Sequence, residues 1–142
     1  MKTFFLTICF FFFLFSQAQD FFVGTWEGTM SNKKLQIVIE ENVNDKVKGY
    51  NVLGKNKRPV KGTVKYNDRG GECAGQGIYC TVTLKEPGDD KWDGVFTLKF
   101  NFCPELDDLG EIIKTEANVP FCFGTWKANN GKLSGNFTLK KK

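Results

Sequence analysis

The side chains here that could do chemistry are a knot of carboxylates (Glu86, Asp89, Asp90 and Asp93), the cysteines, the serines Ser31 and Ser134, and a spread of aromatic rings. Histidine is absent. That removes Ser-His and Cys-His nucleophilic pairs, and imidazole-held zinc, copper or haem. Neither serine has an evident base beside it, and no glycine loop has phosphate-cradling spacing. The carboxylates gather around Pro87-Gly88. A glycosidase needs two carboxylates facing each other across a cleft, one with a raised pKa. Crowded onto one turn, they read as a solvated cluster. Lys91 in their midst opposes calcium, and the ligand spacing of an EF-hand is missing. No catalytic residue, metal site or cofactor is expected.

The aromatics point to binding. Trp26, Tyr50, Trp92, Phe96, Phe100, Phe123 and Trp126 fall on four stretches that read as strands. Inside a closed sheet of about eight strands, such rings either fill the centre or line a cavity for one small ligand. Trp26, Tyr50, Trp92, Phe96, Phe100 and Trp126 are the candidate ligand-binding residues, and the expected ligand is a small apolar or amphipathic molecule.

The elements that must position these rings have a period of two. Leu35, Ile37 and Ile39 share one face, as do Val60, Gly62, Val64 and Tyr66; Val82 and Leu84; Phe96, Leu98, Phe100 and Phe102; and Leu133, Gly135, Phe137 and Leu139. Polar residues fill the alternate positions, the mark of strands with one buried and one wet face, which favours antiparallel pairing. Eight strands are predicted, near 22–30, 34–40, 46–53, 58–66, 78–85, 92–102, 121–127 and 132–140. Turn residues separate them, and Asn130-Gly131 is the strongest hairpin signal. Short sequential turns favour an all-β, eight-stranded antiparallel up-and-down barrel, which has no open edges. Only 104–120 breaks the rhythm. Leu106, Leu109, Ile112 and Ile113 have helical spacing, predicting one short helix there. Glycines make 67–77 a second long loop.

The ends bear on compartment. Lys2, the apolar run Phe4 to Phe15 and the small residues of Ser16-Gln17-Ala18 read as a signal peptide cleaved after Ala18. The run is too short to span a bilayer. Residues 19–142 then form one domain, expected to be secreted or periplasmic. Lys140, Lys141 and Lys142 read as a solvated tail rather than a nucleic-acid or membrane patch. Cys73, Cys80, Cys103 and Cys122 remain, an even number suited to two disulfides in an oxidising compartment. If Pro87-Gly88 turns a hairpin, Cys80 and Cys103 lie about 20 Å apart along the strands, beyond bridging distance. Cys73–Cys80 with Cys103–Cys122 remains, favoured because each bridge closes a long loop, alongside Cys73–Cys103 with Cys80–Cys122.

Phe22-Val23-Gly24-Thr25-Trp26 resembles the Gly-x-Trp entry strand of lipocalins and the similar opening of avidins, and Gly49-Tyr50 resembles an avidin strand. The resemblance spans most of residues 19–142 and implies a calycin-type barrel with an interior ligand. Two departures stand out. Lipocalins pack a late-strand Arg against the early Trp, and the last strands here carry only Lys. The biotin-contacting pattern of avidins is missing. Gly24-Thr25-Trp26 also recurs as Gly124-Thr125-Trp126. The alternative reading is a solid barrel acting as a protein-interaction, adhesion or inhibitor module through loops 67–77 and 104–120.

Overall fold

A computed structural model describes residues 21–67, 78–103, 105–111, 113, 115 and 118–142. The chain is an all-β closed barrel of eight antiparallel strands in sequence order: β1 (Gly24–Met30), β2 (Lys33–Val43), β3 (Lys46–Leu53), β4 (Asn56–Tyr66), β5 (Ile78–Lys85), β6 (Gly94–Phe102), β7 (Phe121–Ala128) and β8 (Ser134–Lys141). Trp26 facing Lys141 on β8 closes the ring. Closure follows from the alternation. A strand with one apolar face must bury it, and an edge left open would expose unpaired amides.

Two turns are tight. Ser31-Asn32 and Asn44-Asp45 each have both central residues at positive φ (51° and 61°; 51° and 62°), the two-residue hairpin geometry that matches strand twist. Asn130-Gly131 lies instead in a longer connection. Lys127 pairs with Ser134, and the Asn129 amide donates to the Asp93 carbonyl at 2.9 Å. That bond to the neighbouring connection holds the loop open beyond a two-residue turn. The β2–β3 register shifts between Ile39 and Glu41, a bulge that leaves both Glu40 and Glu41 exposed.

The two ends of the barrel differ. We call the end bearing the connections after β1, β3, β5 and β7 the mouth, and the opposite end the base. At the base the chain enters through Phe22, which is buried and plugs the barrel. The Trp26 indole N–H donates to the Phe22 carbonyl at 2.8 Å. Phe100 packs edge-on against Trp26, ring centres 4.9 Å apart, and tilts against Phe22 at 6.1 Å. Such contacts contribute about 0.5–1.5 kcal/mol each beyond simple burial. Lys141, on the last strand, reaches this cluster. Its ammonium lies 5.6 Å from the Trp26 ring centre and 4.5 Å from that of Phe21, and donates to the Phe21 carbonyl. Burial pushes its pKa down.

Four expectations need correction. No helix occurs among the described residues of 104–120. The Asp107 carboxylate accepts from the Leu109 and Glu111 amides, both at 2.9 Å, and Gly110 takes φ 81°. A side chain that satisfies nearby amides competes with the helical ladder, and the segment makes a turn instead. Buried Asn118 ties that turn down through bonds to Glu105 and Ile113.

Cys80 and Cys122 are buried thiols rather than half-cystines, which removes both bridges of the favoured pairing and the Cys80–Cys122 bridge of the other. Both flank Phe100 on strands two apart, roughly 9.5 Å by strand spacing and beyond disulfide geometry. Cys103 is disulfide-bonded; Cys73 and loop 68–77 lie outside the described residues. The C-terminal lysines are strand rather than tail, since Lys140 and Lys141 belong to β8 and pair with Glu27 and Trp26, and only Lys141 is turned in from solvent while Lys140 and Lys142 are exposed. The carboxylates Glu86 and Asp93, read as solvated, are buried.

Candidate functional site

The mouth opens into a cup of about 510 Å³, whose lining includes Met30, Leu53, Phe96, Trp126 and Leu133 as apolar wall and Asn51, Arg58 and Glu86 as polar groups. Strand parity places them. Asn51 continues the inward row Val47, Gly49 on β3. Arg58 precedes Val60 and Gly62 on β4. Glu86 follows Cys80, Val82 and Leu84 just past the end of β5, and Trp126 follows Cys122 and Gly124 on β7. The inward rows of β3, β4 and β5 are apolar at the base and bring in a polar residue toward the mouth, while that of β7 stays apolar, giving the cup apolar walls and a charged floor.

Glu86 is the centre of that floor, only 4% exposed. A buried carboxylate is costly unless hydrogen-bonded. Its Oε1 accepts from Asn51 Nδ2 at 2.9 Å, and its Oε2 accepts from the Gly94 amide at 2.9 Å and Trp126 Nε1 at 3.1 Å. The Glu86 amide in turn donates to the Gly94 carbonyl at 2.9 Å. Gly94 is required by packing: a Cβ there would sit 2.6 Å from the Trp126 indole nitrogen and 2.5 Å from the Lys127 carbonyl. Absence of a side chain on β6 lets the Trp126 ring lie across that strand and reach Glu86.

The connection between β5 and β6 forms one lip. Arg58 Nη1 donates to Asp93 Oδ1 at 2.6 Å and to the Trp92 carbonyl at 3.1 Å. Asp93 Oδ2 accepts the Asp90 amide at 3.0 Å, and Asn129 Nδ2 donates to the Gly88 carbonyl at 3.1 Å. The lip is therefore strapped both to β4 and to the β7–β8 connection. It carries Trp92, 55% exposed, at the edge of the cup.

Of the six candidate ligand-binding residues, Trp92, Phe96 and Trp126 line this cup. Trp26 and Phe100 are sealed in the base. Tyr50 faces outward, because Gly49 and Asn51 are the inward residues of β3; the Lys57 ammonium lies 3.6 Å from its ring centre. Phe123 also faces out, 56% exposed. Asn51, Arg58 and Glu86 were not among the candidates. Inward strand parity is the sequence signal that marks them, and at Glu86 the turn signal of Pro87-Gly88 masks it. Among the described residues, no three His, Cys, Asp or Glu side chains gather to hold a metal ion, and no helix is long and apolar enough to cross a membrane. Compared with protein-family models, curated proteins and solved structures, the chain finds no match.

Proposed function

We propose that this protein is an exported, lipocalin-like carrier that holds a small amphipathic molecule in the cup at its mouth. The observation that carries the reading is the division of the cup: an apolar wall of Phe96, Trp126, Leu53 and Met30 beside fixed polar groups at Asn51, Arg58 and Glu86. Pockets for small ligands have this composition, with largely apolar lining and few oriented polar groups. The ligand's apolar body lies against Phe96 and Trp126, and its polar end meets Arg58 and Lys33 at the rim. Binding is favoured over catalysis because both buried carboxylates are committed. Glu86 accepts three bonds from fixed donors, and Asp93 is engaged by Arg58 and a backbone amide.

Titration with amphipathic probes (8-anilinonaphthalene sulfonate, a long-chain carboxylate, an alkylamine) tests this by tryptophan fluorescence. At least one probe is expected to perturb emission in the native protein and to lose about tenfold in affinity on Trp126→Ala, the size of one aromatic contact. If none perturbs it, or if Trp126→Ala binds as well, the cup is not the site.

A second reading, a protein-interaction module, rests on Leu109, 87% exposed at the tip of the 105–113 turn. An apolar residue held out on an anchored turn suits a protein partner. If Leu109→Asp abolishes capture of a defined partner while the probes still bind, the second reading is favoured.

A further inference from the structure

Charge is segregated on the outside of this barrel. The six strands β3 to β8 contain no Asp or Glu. Every charged side chain on their outward face is a lysine, because Arg58 and Lys141 take inward positions. The acidic strand residues, Glu27, Glu40 and Glu41, lie on β1 and β2. Some lysines even stand face to face: Lys48 pairs with Lys61, and Lys61 with Lys85, across three neighbouring strands. Like charges directly opposite each other destabilise a sheet. Lys48 has a relieving partner in Glu41 at 2.7 Å. A face of this kind attracts anions over a Debye length.

One part of the face is also apolar. Phe121 and Phe123 stand side by side on the outer surface of β7, ring centres 5.4 Å apart and planes at 82°. Phe123 is 56% exposed. Lys99 on β6 is paired directly with Phe123, and Lys140 on β8 directly with Phe121. The exposed Phe123 thus projects, with the half-buried Phe121 beside it, from a strand flanked by Lys99 and Lys140 on its two neighbours. Rings set nearly at right angles make a wedge, not the open parallel platform on which bases stack. A wedge of aromatics flanked by lysines suits an interface where acyl chains lie beneath anionic headgroups, with the ammoniums reaching the headgroups.

We propose that the convex face centred on β7 docks the barrel onto an anionic lipid bilayer, with Phe123 entering the headgroup boundary and Lys99 and Lys140 meeting lipid phosphates. The attachment is peripheral and reversible, and Lys127, exposed on the outer face of the same strand, adds to the attractive field. The face lies on the outer wall, so the proposal is independent of the cup.

The chain from Gln19 onward contains every strand, and its co-sedimentation with lipid vesicles provides the test. Binding is expected to vesicles of equal phosphatidylcholine and phosphatidylglycerol, and not to phosphatidylcholine alone. Raising salt to about 0.5 M weakens it. Phe123→Ser weakens it about tenfold, the scale of one buried aromatic. Lys99→Gln and Lys140→Gln each weaken it about fivefold. All three positions are exposed, and circular dichroism verifies that the variants fold. Failure to bind the anionic vesicles at low salt, or equal binding to both vesicle types, would overturn the proposal. So would binding that Phe123→Ser leaves unchanged while soluble heparin competes fully, which would assign the face to a soluble polyanion.

Discussion

Gly24-Thr25-Trp26 and Gly124-Thr125-Trp126 put the same three residues at opposite ends of one barrel, and the two indoles meet different partners. At the base, Trp26 is wholly buried, and its N–H is satisfied by the backbone of the plug at Phe22. At the mouth, Trp126 is half-buried, and its N–H is satisfied by the side chain of Glu86. One tryptophan seals the barrel and the other lines its opening. The difference comes from what surrounds each ring: an apolar plug with Phe100 at the base, a carboxylate and a shortened β6 neighbour, Gly94, at the mouth. A tryptophan on an inward strand position thus reveals little of its role until its N–H partner is known.

The comparison is most easily broken by truncating each ring. Trp26→Ala should cost about 3–5 kcal/mol, as expected for a fully buried tryptophan whose cavity cannot collapse. Trp126→Ala should cost about 1–2 kcal/mol, because part of the ring is already in contact with water. Urea denaturation of both variants gives the two values. Equal losses would mean that Trp126 is core in the same sense as Trp26, and that the mouth is no more open than the base.

The next largest effect concerns the floor of the cup. Glu86→Leu removes the acceptor for Asn51, the Gly94 amide and Trp126 at once. We expect a loss of about 2–3 kcal/mol, since stranded buried donors lose their bonds without regaining water. Trp126 emission should shift, while near-ultraviolet signals from the Trp26 cluster persist. A uniform collapse of both would show that the two halves do not fold as distinct environments. Gly94→Ala probes the same contact sterically. Its new methyl would meet the Trp126 indole and the Lys127 carbonyl, costing about 1–3 kcal/mol by overpacking. The expected sign is a displaced Trp126, read as weaker probe binding with the barrel intact.

How much of this was legible beforehand follows from parity. The strands were readable because alternation is a local signal: β3 and β5 have the expected bounds, and the others differ by one to three residues at either end. Tyr50 was misplaced because an aromatic residue was read as inward, although Gly49 beside it already held that face. Glu86 was misplaced because Pro87-Gly88 looked like the centre of a turn. Strand parity carries past Lys85 and turns Glu86 inward before the chain leaves the sheet. Cys80 and Cys122 depart from the expectation because an even cysteine number behind an expected signal peptide suggests bridges. Cys80 shares the inward row of Val82 and Leu84, where a thiol acts as a small apolar side chain. The supposed helix at 104–120 failed for lack of any sequence measure of a side chain such as Asp107 taking over the local amides. Spacing can show where a side chain points; it does not show which donors a carboxylate will find.

The smallest expected effect comes from a thiol in the sealed half. Burial pushes the Cys122 thiol up from 9.0 to about 12, outweighing a backbone hydrogen bond with Leu139 that lowers it, with a smaller upward push from Cys80. The folded state therefore holds this proton where the unfolded chain releases it. A group with its folded pKa raised contributes fully below its unfolded value, and that contribution is lost as pH rises from about 9 toward 12. At pH 10 the loss should be about 1.4 kcal/mol. Cys122→Ala should flatten the alkaline slope of stability, whatever it costs at neutral pH. A thiol reagent should label Cys122 only under unfolding conditions, since the reactive thiolate is suppressed in the folded barrel. Rapid labelling at pH 8 in native buffer would mean that water reaches the base as it reaches the mouth. The contrast between the two tryptophans would then reduce to their hydrogen-bond partners alone.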